Sequence, residues 1–300
     1  MFQATIFTIF LTTSLFAGIA PYHLTVKPIK ENKEIRILDA KKMDFDGVHE
    51  LSALAYKKGI LYALSDQGIL YLFSLNIKEN KIDSLSLKAK YILQNKKSQA
   101  LKKKKRDAEG LCFYKDGFLI SFEGKNRVLY TSLEGKKIKK MKLNPLLEDK
   151  KNYQSSNKGL ESVAYSKKYG LITIPEKPLH GSDQRYHTIY AKDRVWKFKA
   201  EGSVTDILFR DKERLIVLLR EYSYLTQHRR TTLVEVHLNQ CDKQSVCRSK
   251  VLANFDSSDG WQIDNFEGLA KIDKNRFLMV SDDNESFFQK TLLVLFEIKN

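Results

Sequence analysis

Short apolar segments occur along this chain in pairs, and each pair is joined by a polar turn and bounded by acidic residues. In one pair, residues 51–56 and 60–65 are joined by Lys57, Lys58 and Gly59, a composition typical of hairpin turns. The segments are nearly continuous apolar runs, as expected for strands that are covered on both faces. Five such units are present, at residues 50–66, 107–123, 159–176, 204–221 and 265–282. The pattern therefore predicts five repeated β-hairpins.

Further strand-like segments follow most of these hairpins. Residues 70–77 and 84–93 follow the first unit, and residues 232–238 and 250–255 follow the fourth. Four antiparallel strands per unit, repeated radially, are typical of a β-propeller blade. The sequence thus predicts an all-β fold, a β-propeller with five blades. A sixth blade is an alternative, because the long interval after the first or the fourth unit could contain a degenerate one.

The two ends of the predicted domain complement each other. Only one clear strand, residues 292–298, follows the last unit, while residues 34–41 form an unassigned strand near the start. A radial array that lacks a strand would expose hydrogen-bonding edges. We therefore predict that residues 34–41 pair with residues 292–298 and close the ring, so that residues 34–300 form one propeller domain.

The N-terminal segment differs from the rest of the chain because residues 1–26 contain no Asp, Glu, Lys or Arg. Residues 4–20 are mainly apolar and end in small side chains. These features are typical of a secretory signal peptide, and about 20 apolar residues also suffice for an uncleaved membrane anchor. We expect residues 1–20 to be one or the other, and the protein to be periplasmic or secreted.

The three cysteines fit an exported protein. Cys241 and Cys247 flank a short polar stretch, which favours a disulfide-closed loop in an oxidising compartment. We predict that their Cα atoms lie about 4.4–6.8 Å apart. Cys112 lies in an apolar strand pattern and is interpreted as a buried free thiol.

The net charge of +16 comes with lysine distributed along most of the chain. The one dense run is residues 102–106, which we interpret as a solvated loop. A basic surface attracts phosphate-rich or acidic partners, but neither aromatic nor groove-reading elements accompany the run, so nucleic acid is not expected. We expect a monomer whose partner is an anionic small-molecule ester, with no membrane contact beyond a possible N-terminal anchor.

Acidic residues bound both strands of the predicted hairpins. Antiparallel pairing brings the two acids of a unit to the same end, so inner hairpins would surround one channel mouth with carboxylates. Like charges at this density need compensation, and Ca²⁺ prefers about six to eight oxygen ligands. We therefore predict a Ca²⁺ site, with the following metal ligands: Asp66, Glu109, Glu161, Glu267, Asp282 and Asp283. Any single acid could instead accept backbone hydrogen bonds or pair with a basic residue.

Basic residues lie beside several of these acids. The residues predicted to bind substrate are Lys158, Lys177, Arg220 and Arg127. A mouth that combines metal-bridged carboxylates with cations suits a phosphate ester, because the metal polarises the phosphoryl oxygen while the cations hold the charge. The candidates for catalysis are Glu109, Glu161 and Glu267. The motifs G-x-S-x-G, H-E-x-x-H and Walker A are absent from the sequence, which disfavours the corresponding chemistries.

The segments around the hairpin acids resemble the phytase-like family, which is named for an esterase-like activity of phytase. The resemblance depends on residues 50–68, 107–111, 158–161, 219–221 and 264–269, followed by residues 281–284 with Gln289, Thr291 and Leu292. It extends from about Gly47 to the C-terminus. The chain departs from the pattern in the fourth unit, where Asp206 and Ile207 replace Glu-Gly. The resemblance implies an exported β-propeller with hydrolytic, calcium-dependent activity.

Two functions therefore remain in view. The first is a metal-assisted hydrolase of phosphate or other esters, which the acidic ring and its adjacent cations favour. The second is a non-catalytic propeller that binds a ligand or a protein in the cell envelope, since a fold does not by itself imply catalysis.

Overall fold

Antiparallel β-strands make up nearly all of the regular structure in this chain. The structure, a computed structural model, describes residues 18–25, 33–155, 158–223, 225–286 and 288–299. The helices in these ranges are single 3₁₀ turns: Lys103–Lys105, Pro145–Leu147, Lys150–Asn152 and Ser257–Asp259. None of the helices within these ranges has the length and apolar composition needed to cross a membrane. The all-β prediction is confirmed.

The predicted N-terminal signal or anchor segment lies almost entirely outside the described residues, which begin at Gly18. From there the chain forms two strands, β1 (Gly18–Pro21) and β2 (Ile35–Asp44). The two strands pair antiparallel, with Gly18 opposite Asp44.

The first two units each form a four-stranded antiparallel sheet in simple up-and-down order. The first consists of β3 (Leu51–Lys57), β4 (Ile60–Ser65), β5 (Ile69–Lys78) and β6 (Lys81–Ile92). The second consists of β7 (Ala108–Tyr114), β8 (Gly117–Phe122), β9 (Arg127–Ser132) and β10 (Lys137–Lys140). Each sheet has the architecture of a propeller blade.

The third unit forms two short ladders instead of a full blade. They pair β11 (Ala164–Ser166) with β12 (Gly170–Ile172), and β13 (His187–Tyr190) with β14 (Val195–Phe198). An isolated bridge between Thr173 and Tyr190 connects the ladders. Pro175 interrupts the second strand because proline has no N–H to donate to a ladder. The prediction of five regular blades is therefore wrong, and the described residues contain four.

The fourth and fifth units complete the set of sheets. The fourth contains β15 (Ser203–Phe209), β16 (Arg214–Ser223), β17 (His228–Cys241) and β18 (Cys247–Asp256). The fifth contains β19 (Asn265–Lys271), β20 (Arg276–Asp282) and β21 (Leu292–Ile298), and it continues through β2 to β1. Strand β2 pairs antiparallel with β21, from Ile35 opposite Ile298 to Lys42 opposite Leu292.

A sixth blade does not occur in the described residues. The long intervals after the first and fourth units contain unusually long hairpins instead. Strands β5 and β6 have 10 and 12 residues, and β17 and β18 have 14 and 10. The extra residues therefore lengthen existing blades and do not add a new one.

The first strands of the five units pack side by side around a common centre. Strand β7 contacts β3 and β11, β15 contacts β11 and β19, and β19 contacts β3. The hydrophobic core lies between neighbouring sheets: one cluster joins Leu218 and Phe255 of the fourth unit to Phe277 and Phe296 of the fifth. Burial on both faces explains the continuous apolar sequence of strands such as β8, in which every residue is buried.

The cysteine predictions are confirmed in part. Cys241 and Cys247 form a disulfide. Their Cα atoms are 3.8 Å apart, which is closer than predicted, because the two residues lie directly opposite each other across the β17–β18 ladder. Cys112 is a free cysteine on β7 and is only partly buried as a residue. Burial of its thiol, followed by repulsion from Asp206, raises the thiol pKa, which makes it unreactive.

Candidate functional site

Three glutamates occupy equivalent bulged positions at the start of the first strand of a unit. The β7–β8 ladder skips Glu109, and the β19–β20 ladder skips Glu267, so each is the extra residue of a β-bulge. In the third unit Glu161 has the same place, directly after Leu160, which bridges Pro175. A bulge bends the strand and redirects the side chain of the extra residue. The bulges therefore redirect the side chains of Glu109 and Glu267, and Glu161 follows the bridge at the equivalent place in the third unit.

The bulges of the first and fourth units carry hydroxyl side chains instead. The ladder skips Ser52 in β3 and Thr205 in β15. Glu50 and Asp206, which the spacing in the sequence aligns with the three glutamates, therefore lie in different positions. The Asp206 carboxylate accepts hydrogen bonds from the N–H groups of Ile207 (2.8 Å) and Leu269 (2.7 Å). Asp206 thus connects β15 to β19 and has a structural role.

The second strand of each unit ends in a further set of equivalent positions at the same mouth. The five residues at these positions are Asp66, Glu123, Glu176, Arg220 and Asp282. The fourth unit therefore contributes a cation where the other four contribute carboxylates. Glu221, which the sequence pattern placed here, lies one residue further along and pairs with Arg230 at 3.3 Å.

The predicted ligands Asp66 and Asp282 lie among other carboxylates. Burial raises the pKa of Asp66 to about 8, and repulsion from Glu50 is the next cause. Burial raises the pKa of Asp282 to about 9, and repulsion from Glu267 adds to the shift. One oxygen of Asp66, Oδ1, is buried without a hydrogen-bond partner. Both groups therefore hold a proton at neutral pH unless a cation compensates for the ionised form.

Glu109 and Glu161 are buried acids of the mouth, each with 9% of its surface exposed. Burial raises the pKa of both well above the usual value. The next cause is repulsion from Glu267 for Glu109, and from Glu109 for Glu161. Neither carboxylate accepts a hydrogen bond from an N–H or O–H donor among the described residues. Two buried carboxylates without donors are the ligands that a cation would satisfy.

Two groups of carboxylates are close enough to share a cation. In each group the ligand oxygens lie within 4.8 Å of one another. The first group is Asp107, Glu109 and Glu123, and the second is Glu123, Glu161 and Glu176. Glu123 belongs to both, and its Oε1 also accepts a hydrogen bond from the Gly159 N–H at 2.8 Å. An all-carboxylate donor set suits a hard cation such as Ca²⁺.

These groups contain three acids that are absent from the predicted ligand set. Glu123 and Glu176 are the second acids of their units, and Asp107 stands two residues before Glu109. The repeat in the sequence includes all three, but only the ladder register shows that they converge. Asp283, in contrast, accepts hydrogen bonds from the Glu50 N–H (3.2 Å) and the Thr291 hydroxyl (2.9 Å), so the structure places it among protein donors.

A cavity of about 670 Å³ beside the acids contains most of the predicted substrate-binding cations. Lys158, Lys177 and Arg220 line it, together with Arg229 and Arg230. Lys158 forms an ion pair with Glu176 at 2.9 Å. The cavity therefore presents several cations next to the carboxylates, on the side of the fourth unit.

Arg127 is separated from these cations. Its guanidinium stacks on the Phe122 ring with 4.0 Å to the centroid, and it lines a different cavity. Burial lowers its pKa to about 10, and attraction to Asp107 opposes the shift. The structure therefore places Arg127 beside the first carboxylate group, away from Lys158, Lys177 and Arg220.

The sequence of this chain matches the family described as phytase-like, esterase-like activity of phytase, over residues 46–285. No curated protein matches the chain. Among solved structures, a glutaminyl cyclase from Myxococcus xanthus is similar, with 11% identity and a TM-score of 0.49 over 91% of this chain and 100% of that one. A chain of the mitotic checkpoint complex is similar with 10% identity and a TM-score of 0.40, over 83% of this chain and 64% of that one. The C-terminal WD40 domain of Sif2 is similar with 8% identity and a TM-score of 0.42, over 90% of this chain and 100% of that domain.

The match to the phytase-like family covers most of the chain and includes all five units, from Glu50 to Asp282. The chain belongs to the phytase-like family, described by the esterase-like activity of phytase.

Proposed function

We propose that this protein is a metal-assisted hydrolase that cleaves an anionic ester, in the first instance a phosphate ester, at the carboxylate mouth. The observation that supports this most directly is the pair of carboxylate groups that share Glu123, with oxygens within 4.8 Å of one another. Beside them, Lys158, Lys177 and Arg220 line a cavity of about 670 Å³. A divalent cation there would supply polarisation of a phosphoryl oxygen and a bound water of lowered pKa.

The side chains of the mouth and the adjacent cavity have separate roles in this proposal. The anionic part of the substrate binds the cations that line the cavity: Lys177, Arg220, Arg229 and Arg230. Glu123 belongs to both carboxylate groups and would help to position a cation in either of them. Asp66 holds a proton at neutral pH when no cation is bound, with its pKa near 8, and it would release that proton when it ligates a cation.

Ca²⁺ is the cation we favour. Asp107, Glu109, Glu123, Glu161 and Glu176 offer only carboxylate oxygens, and Ca²⁺ accepts many oxygen ligands in a flexible geometry. Binding would also relieve the repulsion that raises the pKa values of Glu109 and Glu161. Asp66, Glu267 and Asp282 belong to the same cluster and remain proposed ligands.

A non-catalytic ligand-binding function is the second candidate, and a specific feature favours it. Arg220 pairs with Glu267 and Lys158 pairs with Glu176, so two of the acids are neutralised by the protein itself. In this case the cavity would bind an anionic ligand of the cell envelope without turning it over.

The proposal includes an architecture and a location. We infer that the two ladders of the third unit are a reduced fifth blade and that pairing of β2 with β21 closes the ring. The apolar residues 1–20 and the Cys241–Cys247 disulfide support an exported, periplasmic or secreted protein.

A panel of phosphomonoesters, phosphodiesters and carboxylesters tests the function on the purified full chain, with Ca²⁺ and with chelator. We expect turnover of a phosphate ester that Ca²⁺ supports and chelator removes. Glu123→Gln should abolish it, whereas Glu79→Gln, in the exposed turn between β5 and β6, should not. An equal turnover rate with and without chelator would exclude the metal-assisted reaction. Absence of turnover with retained Ca²⁺ binding would favour the ligand-binding function.

A further inference from the structure

A second cavity, of about 830 Å³, lies on the outer side of the second blade and is lined mainly by cations. Its floor includes Leu129 of β9 and two residues of β10, and the loops before β7 and after β8 form its walls. The basic side chains other than Arg127 are Lys102, Lys105, Lys125, Lys137, Lys140 and Lys150. Glu148 is the one acidic residue among the lining side chains. This cavity is not part of the mouth described above.

Seven cations and a single carboxylate, that of Glu148, line this cavity, so its positive charge is only partly compensated. Among the described residues, none of the seven cations forms a salt bridge with a carboxylate. The pKa of Lys137 is lowered by partial burial first and then by repulsion from cations that include Arg127 and Lys140. A polyanionic ligand in this concave site would reduce the repulsion among the lysine side chains.

The protein backbone holds these lysines in place. The Arg127 guanidinium donates to the carbonyl oxygens of Lys125 (2.8 Å) and Lys105, which attaches the lysine-rich loop to the start of β9. The Lys137 N–H donates to the Gln94 carbonyl at 2.9 Å, which fixes the same loop against β10. Three of the segments that line the cavity are therefore joined by hydrogen bonds. The lysines at residues 102–105 are exposed, as predicted for a solvated loop, while the backbone of that loop is held in place.

We propose that this cavity binds a linear polyanion that lacks aromatic groups, with phosphate or sulfate groups along its chain. Lysine ammonium groups act as point charges that tolerate many anionic geometries. The lining includes no aromatic side chain on which a base could stack, which disfavours a nucleic acid. A concave site suits a narrow chain better than the plane of a membrane surface.

This inference does not depend on the proposed hydrolase function. Polyanion binding here uses lysine side chains outside the mouth and requires no cation, so it can be measured in chelator. A failure of polyanion binding would leave the hydrolase proposal intact, and the reverse is also true.

The test is isothermal titration calorimetry of the full chain with inorganic polyphosphate, in chelator and at about 150 mM salt. The cavity variant is Lys105→Gln/Lys137→Gln/Lys140→Gln. The control variant is Lys58→Gln/Lys139→Gln/Lys243→Gln, which removes the same charge from exposed lysines outside the cavity. Thermal melting checks that both variants fold.

We expect the cavity variant to bind polyphosphate about tenfold more weakly than the wild type, with a reduced dependence of affinity on salt. The control should differ from the wild type by less than about twofold. Equal weakening in both variants would overturn the proposal, since net charge alone would explain it. Absence of binding at this salt concentration, or tighter binding of single-stranded DNA or phosphatidylglycerol vesicles than of polyphosphate, would overturn it as well.

Discussion

The guanidinium of Arg220, at the end of the second strand of the fourth unit, donates to the carboxylate of Glu267, in the bulge of the fifth, at 2.5 Å. Arg220 occupies the position that Asp66, Glu123, Glu176 and Asp282 occupy in the other units. Burial lowers the pKa of Arg220, but attraction to Glu267 and to the other acids outweighs it, and the net shift is upward. Arg220, from the unit whose sequence departs from the repeat, thus stabilises the ionised form of Glu267 in a ring of positions that are otherwise acidic.

Removal of this cation should destabilise the protein. Arg220→Gln leaves the Glu267 carboxylate largely buried without its partner, and we expect a loss of about 2 kcal/mol in the free energy of unfolding. The double variant Arg220→Gln/Glu267→Gln should recover part of that loss, because the unpaired charge is gone. Urea denaturation at neutral pH measures both variants. A double variant less stable than Arg220→Gln would contradict this assignment of the pair.

Calcium should stabilise the fold through Glu123. A cation that binds only the folded state raises the melting temperature by mass action, so we expect Ca²⁺ to raise it and chelator to lower it. Glu123→Gln preserves the oxygen that accepts from Gly159 but removes a charge common to both carboxylate groups, and the Ca²⁺-dependent shift should shrink most in this variant. Glu79→Gln is the matched control. If wild-type melting is indifferent to Ca²⁺ and chelator, the acids have a structural role only.

Asp206 should contribute to the free energy of unfolding but not to Ca²⁺ binding. Asp206→Ala removes the acceptor of the Leu269 N–H in a buried position, which costs about 1–3 kcal/mol. Because Asp206 lies outside both carboxylate groups, the Ca²⁺-dependent melting shift should persist in this variant. Differential scanning calorimetry with and without Ca²⁺ separates the two effects. Loss of the shift would indicate that Asp206 is a metal ligand.

Stability without calcium should fall as pH rises. The folded-state pKa values of Asp66 and Asp282 are raised to about 8 and about 9, so between roughly pH 4 and pH 9 the folded state binds more protons than the unfolded state. The stability that these groups retain at low pH is therefore lost progressively across this window. Asp66→Asn/Asp282→Asn should flatten the dependence, and so should saturating Ca²⁺. Chemical denaturation at a series of pH values measures the slope, and a rising slope across this window would refute the raised pKa values.

Local sequence was enough to predict the hairpins. The apolar runs on either side of turns such as Lys57-Lys58-Gly59 became β3 and β4, since strand pairing across a short turn depends on neighbouring residues. The antiparallel arrangement of those hairpins also explains why Glu109 and Glu123, from the two strands of one unit, meet at one mouth. Cys241 and Cys247 form their disulfide for the same local reason, because they face each other across one ladder.

Register and burial, in contrast, depended on the tertiary structure. A bulge shifts the ladder by one residue, so counting residues aligned Glu50 and Asp206 with Glu109, whereas the bulges of their units carry Ser52 and Thr205. Pro175 reduced the third unit to short ladders, although its acid spacing resembles that of the others. Which cations line the mouth was decided by packing between blades, which brings Arg220 to Glu267 and leaves Arg127 beside a separate lysine-lined cavity. The sequence by itself determined the strands and the acids they bring together, and the contacts between blades determined which of those acids share a partner, because such contacts join residues far apart in the chain.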